Sequence, residues 1–122
     1  MKTALVVDDS RIMRNIVKNT FATLKIPCEF LEAENGKKAL QLLETNQISI
    51  IFLDWNMPEM DGMEFLKRVR SMPDYGSLPI IMVTSEAAKY NVVQALGEGA
   101  TDYIVKPVHE KVFIEKISQI VF

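Results

Sequence analysis

Five short apolar runs, each closed by a polar or charged residue, alternate along this chain with segments in which apolar residues recur every three or four positions. Short runs of this kind suit strands, and the three–four spacing suits one face of a helix. The first run, Thr3 to Asp8, is too short for a helix and stops at carboxylates. From Arg11 the period changes. Ile12, Met13, Ile16, Val17, Thr20, Phe21 and Leu24 predict one helix face, closed off by Pro27. Cys28 opens a brief second strand carried by Phe30, Leu31 and Ala33 and ended by Asn35-Gly36; Ala39, Leu40, Leu42 and Leu43 predict a second helix. Ile48 to Leu53 is the most apolar stretch, predicts a strand buried on both faces, and ends on Asp54. Met57-Pro58 and Asp61-Gly62 punctuate a loop before a third helix on Met63, Leu66 and Val69. Pro73 and Pro79 bracket the way to a fourth strand, Ile80 to Val83, ended by Thr84. Val92, Val93 and Leu96 predict a fourth helix stopped by Gly97 and Gly99. Tyr103 to Val105 predict a fifth strand ended by Lys106-Pro107, and Val112, Phe113, Ile117, Ile120 and Val121 the inner face of a last helix.

Strands alternating with helices imply right-handed crossovers and a doubly wound α/β fold, its five-stranded parallel sheet covered on both faces by five helices. A length of 122 residues is one domain's worth. The expectation is a single domain over 1–122 with no output domain behind it. The single cysteine excludes an internal disulfide framework and a multi-cysteine metal site. A net charge of −2 gives no electrostatic footprint for nucleic acid or an anionic membrane. Asp8 and Asp9 interrupt the first apolar stretch too early for a signal-peptide core, and no apolar run approaches the roughly 18 residues of a membrane helix. A cytoplasmic location follows as an expectation.

In an open parallel sheet, ligands bind beyond the carboxyl ends of the strands, where the strand order reverses. The residues at those ends are Asp8 and Asp9, Asp54, Thr84 and Lys106. Each alone has an ordinary reading: Asp9 or Ser10 as a helix cap, Thr84 as a strand end, Lys106 as a solvated charge. Together they put three carboxylates, a hydroxyl and an ammonium on one edge. Asp8-Asp9-Ser10 is not the glycine-rich turn of a dinucleotide fold, and paired carboxylates would repel the phosphate of a flavodoxin-type loop. Clustered carboxylates call for a cation, and oxygen ligands with room for water suit Mg²⁺. Asp54 could then act as a nucleophile forming an acyl phosphate, with Lys106 pairing one phosphoryl oxygen and Thr84 donating to another.

Val6-Val7-Asp8-Asp9-Ser10, Asp54-Trp55-Asn56-Met57-Pro58, Met60-Asp61-Gly62, Pro79-Ile80-Ile81-Met82-Val83-Thr84 and Tyr103-Ile104-Val105-Lys106-Pro107 resemble the receiver domains of two-component response regulators. Among these the chain is most similar to stand-alone chemotaxis regulators of the CheY type. The resemblance, and not the periodicity, supplies the flavodoxin-like strand order 2-1-3-4-5. It implies that a histidine kinase phosphorylates Asp54, with Asp9 binding Mg²⁺ directly, Asp8 largely through water, and Asn56 through its backbone carbonyl. Thr84 would be the switch hydroxyl, Tyr103 the switch aromatic, and Lys106 the phosphate-pairing lysine before a cis proline. Asn56 and Glu86 would flank the attacking water and tune how fast the signal decays.

The implied partners are the kinase and the flagellar motor switch protein, bound by a monomer. A phosphate sink or relay would instead pass the group to a phosphotransfer protein. Such a protein is a phospho-acceptor and not a turnover enzyme. An aspartyl-nucleophile phosphatase, the rival class, wants a second acid where Asn56 stands. Val108 and His109 depart from the Phe and Thr usual after Lys-Pro in chemotaxis regulators, which touches the partner face and not the acceptor. His109 is expected at the surface, Cys28 as an inert small hydrophobe, Trp55 as an optical reporter beside the acceptor, and Lys37 and Lys38 on a solvated helix face. Met13, Met63 and Met82 fall on core periodicity, whereas Met57 and Met60 are left in the loop without a ligand role.

Overall fold

The computed structural model describes residues 1–85 and 89–120, without the side chains of Lys89 and Tyr90. The alternating pattern becomes β1 (Lys2–Val7), α1 (Arg11–Ala22), β2 (Cys28–Ala33), α2 (Gly36–Thr45), β3 (Ile50–Asp54), α3 (Gly62–Arg70), β4 (Ile80–Ser85), α4 (Lys89–Gly97), β5 (Asp102–Lys106) and α5 (Glu110–Ile117). All pairings are parallel, in the order β2-β1-β3-β4-β5. The order reverses between β1 and β3, which places the crevice beyond their carboxyl ends. No described helix is long and apolar enough to cross a membrane.

Strand alternation sorts the core into two layers. Ala4, Val6, Ile50, Phe52, Ile81, Val83 and Ile104 face α1 and α5, where they meet Val17, Phe21, Phe113 and Ile117. Leu5, Val7, Ile51, Leu53, Ile80 and Met82 face the other way, against Ala39 and Leu43 of α2, Phe65, Leu66 and Val69 of α3, and Ala95 of α4. The first layer is aromatic: Phe52 stacks on Phe113 at 5.4 Å, and Phe21 meets Phe52 edge-on at 5.8 Å. Such pairs add about 0.5–1.5 kcal/mol to the stabilisation that burial alone provides.

Several sequence expectations shift. In α1 the inward stripe runs through Val17 and Phe21 and continues to Leu24 just past the helix end, with Met13 half-buried, while Ile12 is 73% exposed and Ile16 also faces solvent. At 100° per residue, Ile12 and Ile16 sit to one side of that stripe. The same offset leaves Val112 of α5 41% exposed beside the buried Phe113 and Ile117, so it is not on the inner face. Ile120 packs against the core beyond the end of α5, and Val121 lies outside the described residues. β3 begins at Ile50 and not Ile48; on the approach to the sheet Ser49 N–H donates to Thr3 O at 2.8 Å. A single 3₁₀ turn at Pro73–Tyr75, which the two prolines only bracketed, joins α3 to β4.

Candidate functional site

β1 and β3 are neighbours, and their pairing runs up to Val7 opposite Leu53. Asp8 and Asp54 follow directly, side by side at the switch point, and both are buried, at 4% and 7% exposure. Lys106 closes β5, two strands from β3, and reaches back across the edge. Its Nζ donates to Asp54 Oδ1 at 3.1 Å and to Asp8 Oδ2 at 3.2 Å. One ammonium therefore serves two buried carboxylates, and the cluster keeps a net negative charge. Asp9 stays exposed, yet its carboxylate lies within 4.8 Å of those of Asp8 and Asp54.

The electrostatics follow from this imbalance. Burial, and then repulsion from Asp8, push the Asp54 carboxyl above its ordinary value in spite of Lys106. Burial works against the Lys106 ammonium, but the attraction of Asp54 and Asp8 outweighs it and holds the lysine above its ordinary value. A buried anionic pair sharing one cation is strained toward a further positive charge. Three carboxylates with no soft donor fit a hard divalent ion that retains water, so the donor set suits Mg²⁺.

Local structure holds each carboxylate in place. Ser10 N–H donates to Asp8 Oδ1 at 2.9 Å, and Ser10 Oγ accepts from Met13 N–H at 3.2 Å. Ser10, not Asp9, is thus the cap of α1, which leaves the Asp9 carboxylate available to the cluster. Arg14 Nη1 donates to Asp8 O at 2.7 Å while its Nε pairs with Glu32 at 2.9 Å. Gly62 brings the start of α3 against the acceptor. A Cβ there would stand 2.3 Å from Asp54 O, and Gly62 N–H donates to Trp55 O at 2.8 Å. Sequence reasoning missed Arg14 and gave Gly62 only a turn role. The sequence signal for Gly62 is its place one residue after Asp61, which caps α3 through Glu64 N–H.

Thr84 is 2% exposed, and its Oγ1 is buried with no hydrogen-bond partner among the described residues. An orphaned buried hydroxyl costs about 1–3 kcal/mol, and such groups are rare in folded proteins. On β4 it alternates away from the Asp54 and Lys106 side, toward the face that carries Met82 and α4. Tyr103 shares that face, pairs in register with Met82, and packs half-buried against the same layer. The charged cluster and the Thr84–Tyr103 pair thus occupy opposite sides of one sheet edge.

Asn56 is exposed in the loop two residues past Asp54, and Lys106-Pro107 is cis. Glu86 lies outside the described residues. Trp55 is half-buried against the α2–α4 layer, and His109 is exposed at the N-cap of α5 without capping it through its side chain. Cys28 is half-buried, and that burial raises its thiol. Lys37 and Lys38 are exposed, with Lys38 paired to Glu34. Met82 is fully buried, Met13 and Met63 half so. Met60 proves to be core, filling the space above Gly36 that a Cβ would otherwise claim.

The sequence and the fold are shared with known proteins. The family model of the response regulator receiver domain matches residues 4–118. A chemotaxis protein CheY homolog of Campylobacter jejuni is 47% identical over 117 residues, which cover 95% of this chain and 89% of that protein. The chemotaxis protein CheY1 of Helicobacter pylori is 46% identical over 114 residues, covering 93% and 91%. Among solved structures, the chemotaxis protein CheY4 of Vibrio cholerae superposes with a TM-score of 0.87 at 31% identity, over 99% of both chains.

Proposed function

This chain belongs to the response regulator receiver family, and we propose that within it the protein is a phosphorylation-activated chemotaxis regulator with Asp54 as acceptor. One observation carries the reading: two buried carboxylates share a single lysine at a sheet edge where the neighbouring strand ends on a buried hydroxyl with no hydrogen-bond partner among the described residues. An edge of that kind is completed by a group bringing oxygens for Lys106 and Thr84.

In the transfer, an Asp54 carboxylate oxygen attacks the phosphorus of a phosphohistidine on the kinase. The P–N bond breaks with its electron pair returning to the imidazole, and a P–O bond forms to give the acyl phosphate. Mg²⁺ held by Asp8, Asp9, Asp54 and the Asn56 carbonyl would offset the charge of the arriving group. Lys106, already 3.1 Å from Asp54, turns to a phosphoryl oxygen as a point charge. Thr84 donates its hydroxyl to another oxygen and so gains the partner it lacks. Tyr103, on the same side of the sheet, follows Thr84 and changes the surface around α4, β5 and α5. That surface then selects the partner by shifting between two populated states. Asn56 and Glu86 set the lifetime of the acyl phosphate.

We place the protein in the cytoplasm as a monomer, a self-modifying acceptor and not a turnover enzyme, with the flagellar motor switch as its output. Asp54→Asn should take up no label from acetyl phosphate in the presence of Mg²⁺; full labelling of that variant would refute the acceptor. Lys106→Ala should keep most of the Mg²⁺ affinity yet lose the coupling of phosphorylation to partner binding. The beryllofluoride form should bind motor-switch peptide. Transfer of the phosphoryl group from phosphorylated Asp54 onward to a phosphotransfer protein, with no motor-switch binding by the beryllofluoride form, would make it a sink or relay instead.

A further inference from the structure

Among the described residues β5 is an edge strand, with β4 on one side and no strand on the other. On it, Asp102 Oδ1 accepts two hydrogen bonds: from Tyr103 N–H at 2.7 Å and from Lys116 Nζ at 3.1 Å. The same Lys116 Nζ stands 3.8 Å from the centroid of the Tyr103 ring. One carboxylate thus ties down the backbone of Tyr103 and anchors the cation that sits over its ring. Lys116 comes from α5 and Asp102 from the start of β5, so the contact bridges two elements of the surface described above.

From this geometry we propose that Lys116, anchored by Asp102, is a positioning residue that holds Tyr103 in its resting rotamer and so sets the threshold of the switch. The proposal rests on the reading of Tyr103 as the switch aromatic. The arrangement belongs to the resting state, in which Lys106 still bridges Asp8 and Asp54 and the Thr84 hydroxyl has no partner among the described residues. A ring that turns inward after Thr84 must leave the ammonium behind. The cation–ring attraction is therefore present in one state and absent in the other, which is the condition for a residue to bias a two-state equilibrium. Lys116 is three-quarters buried at its side chain, and its charge is partly shielded from solvent. A cation in that setting over a ring contributes a bias of about two- to five-fold.

Removing the cation should make activation easier. Binding of Mg²⁺ with beryllofluoride, measured by calorimetry, should tighten about two- to five-fold in Lys116→Met. Lys116→Arg, which keeps a cation over the ring, should stay near the wild type. Fluorotyrosine incorporated at the three tyrosines gives one ¹⁹F resonance for position 103, assigned with Tyr103→Phe. That resonance should move in Lys116→Met before any ligand is added, toward its position in the beryllofluoride form. In a Tyr103→Leu background, Lys116→Met should no longer change the affinity. An unchanged affinity and an unmoved resonance in Lys116→Met, or an effect that persists without the ring, would overturn the proposal while leaving the switch reading intact. A wild-type resonance at 103 that ignores beryllofluoride would overturn both.

Discussion

Phe52 and Asp54 stand two residues apart on β3, on the same side of the strand, in surroundings of opposite character. Phe52 is packed between Phe21 and Phe113 in a layer where apolar contacts are complete. Asp54 is nearly as buried, but among the described residues it shares one cation with Asp8, and the hydroxyl on the neighbouring strand has no partner. The sheet's middle is optimised for stability, and its carboxyl edge holds back stabilisation that a ligand can supply. Less than 7 Å of strand separates the two regimes, at about 3.3 Å per residue.

Breaking the first regime should have the largest effect. Phe52→Ala removes a stacked and an edge-on partner from the aromatic layer and should cost about 3–5 kcal/mol, seen as a lower urea midpoint. That is a large part of the total stability of a domain this size. Gly62→Ala tests the junction between the regimes. Its methyl group would meet Asp54 O at 2.3 Å, and the backbone must give way. It should cost about 2 kcal/mol, and should also weaken Mg²⁺ binding followed by Trp55 fluorescence.

The second regime should respond with the opposite sign. Asp54→Asn removes an ionised carboxyl whose burial and repulsion from Asp8 are not fully offset by Lys106. It should stabilise the fold at neutral pH by on the order of 1 kcal/mol. Because the folded state holds the Asp54 proton more tightly than the unfolded chain, the gain should shrink as pH falls through the raised value. It should be gone below the ordinary carboxylate value near 3.8. A variant less stable than the wild type at pH 7 would contradict the comparison.

The smallest effect belongs to Glu32, at the rim. Burial raises its carboxyl, but hydrogen bonds and attraction from Lys18 and Arg14 hold it below the ordinary value. Its contribution is present above pH 4.5 and is lost as pH falls through the depressed value. Glu32 is solvent-exposed, so Glu32→Gln should cost at most about 0.5 kcal/mol at pH 7, and the cost should fade in thermal melts as pH falls through the depressed value.

The sequence alone determined the alternation of elements, because strand and helix periods are local properties of neighbouring side chains. It also determined the polar residue at the end of each strand, and hence Asp8, Asp9, Asp54, Thr84 and Lys106 as candidates. Its motifs carried the family and, through it, the strand order. Tertiary structure decided what no local pattern records. It turned Ile12, Ile16 and Val112 outward, since a helix's inward stripe depends on where the helix crosses the sheet. It chose Ser10 over Asp9 as the cap, through a hydrogen bond of fixed geometry. It recruited Arg14, Gly62, Asp102 and Lys116, whose significance lies in contacts with residues that the chain brings close only on folding. Above all it made one lysine answer to two buried carboxylates, because charge balance is a property of space and not of spacing along the chain.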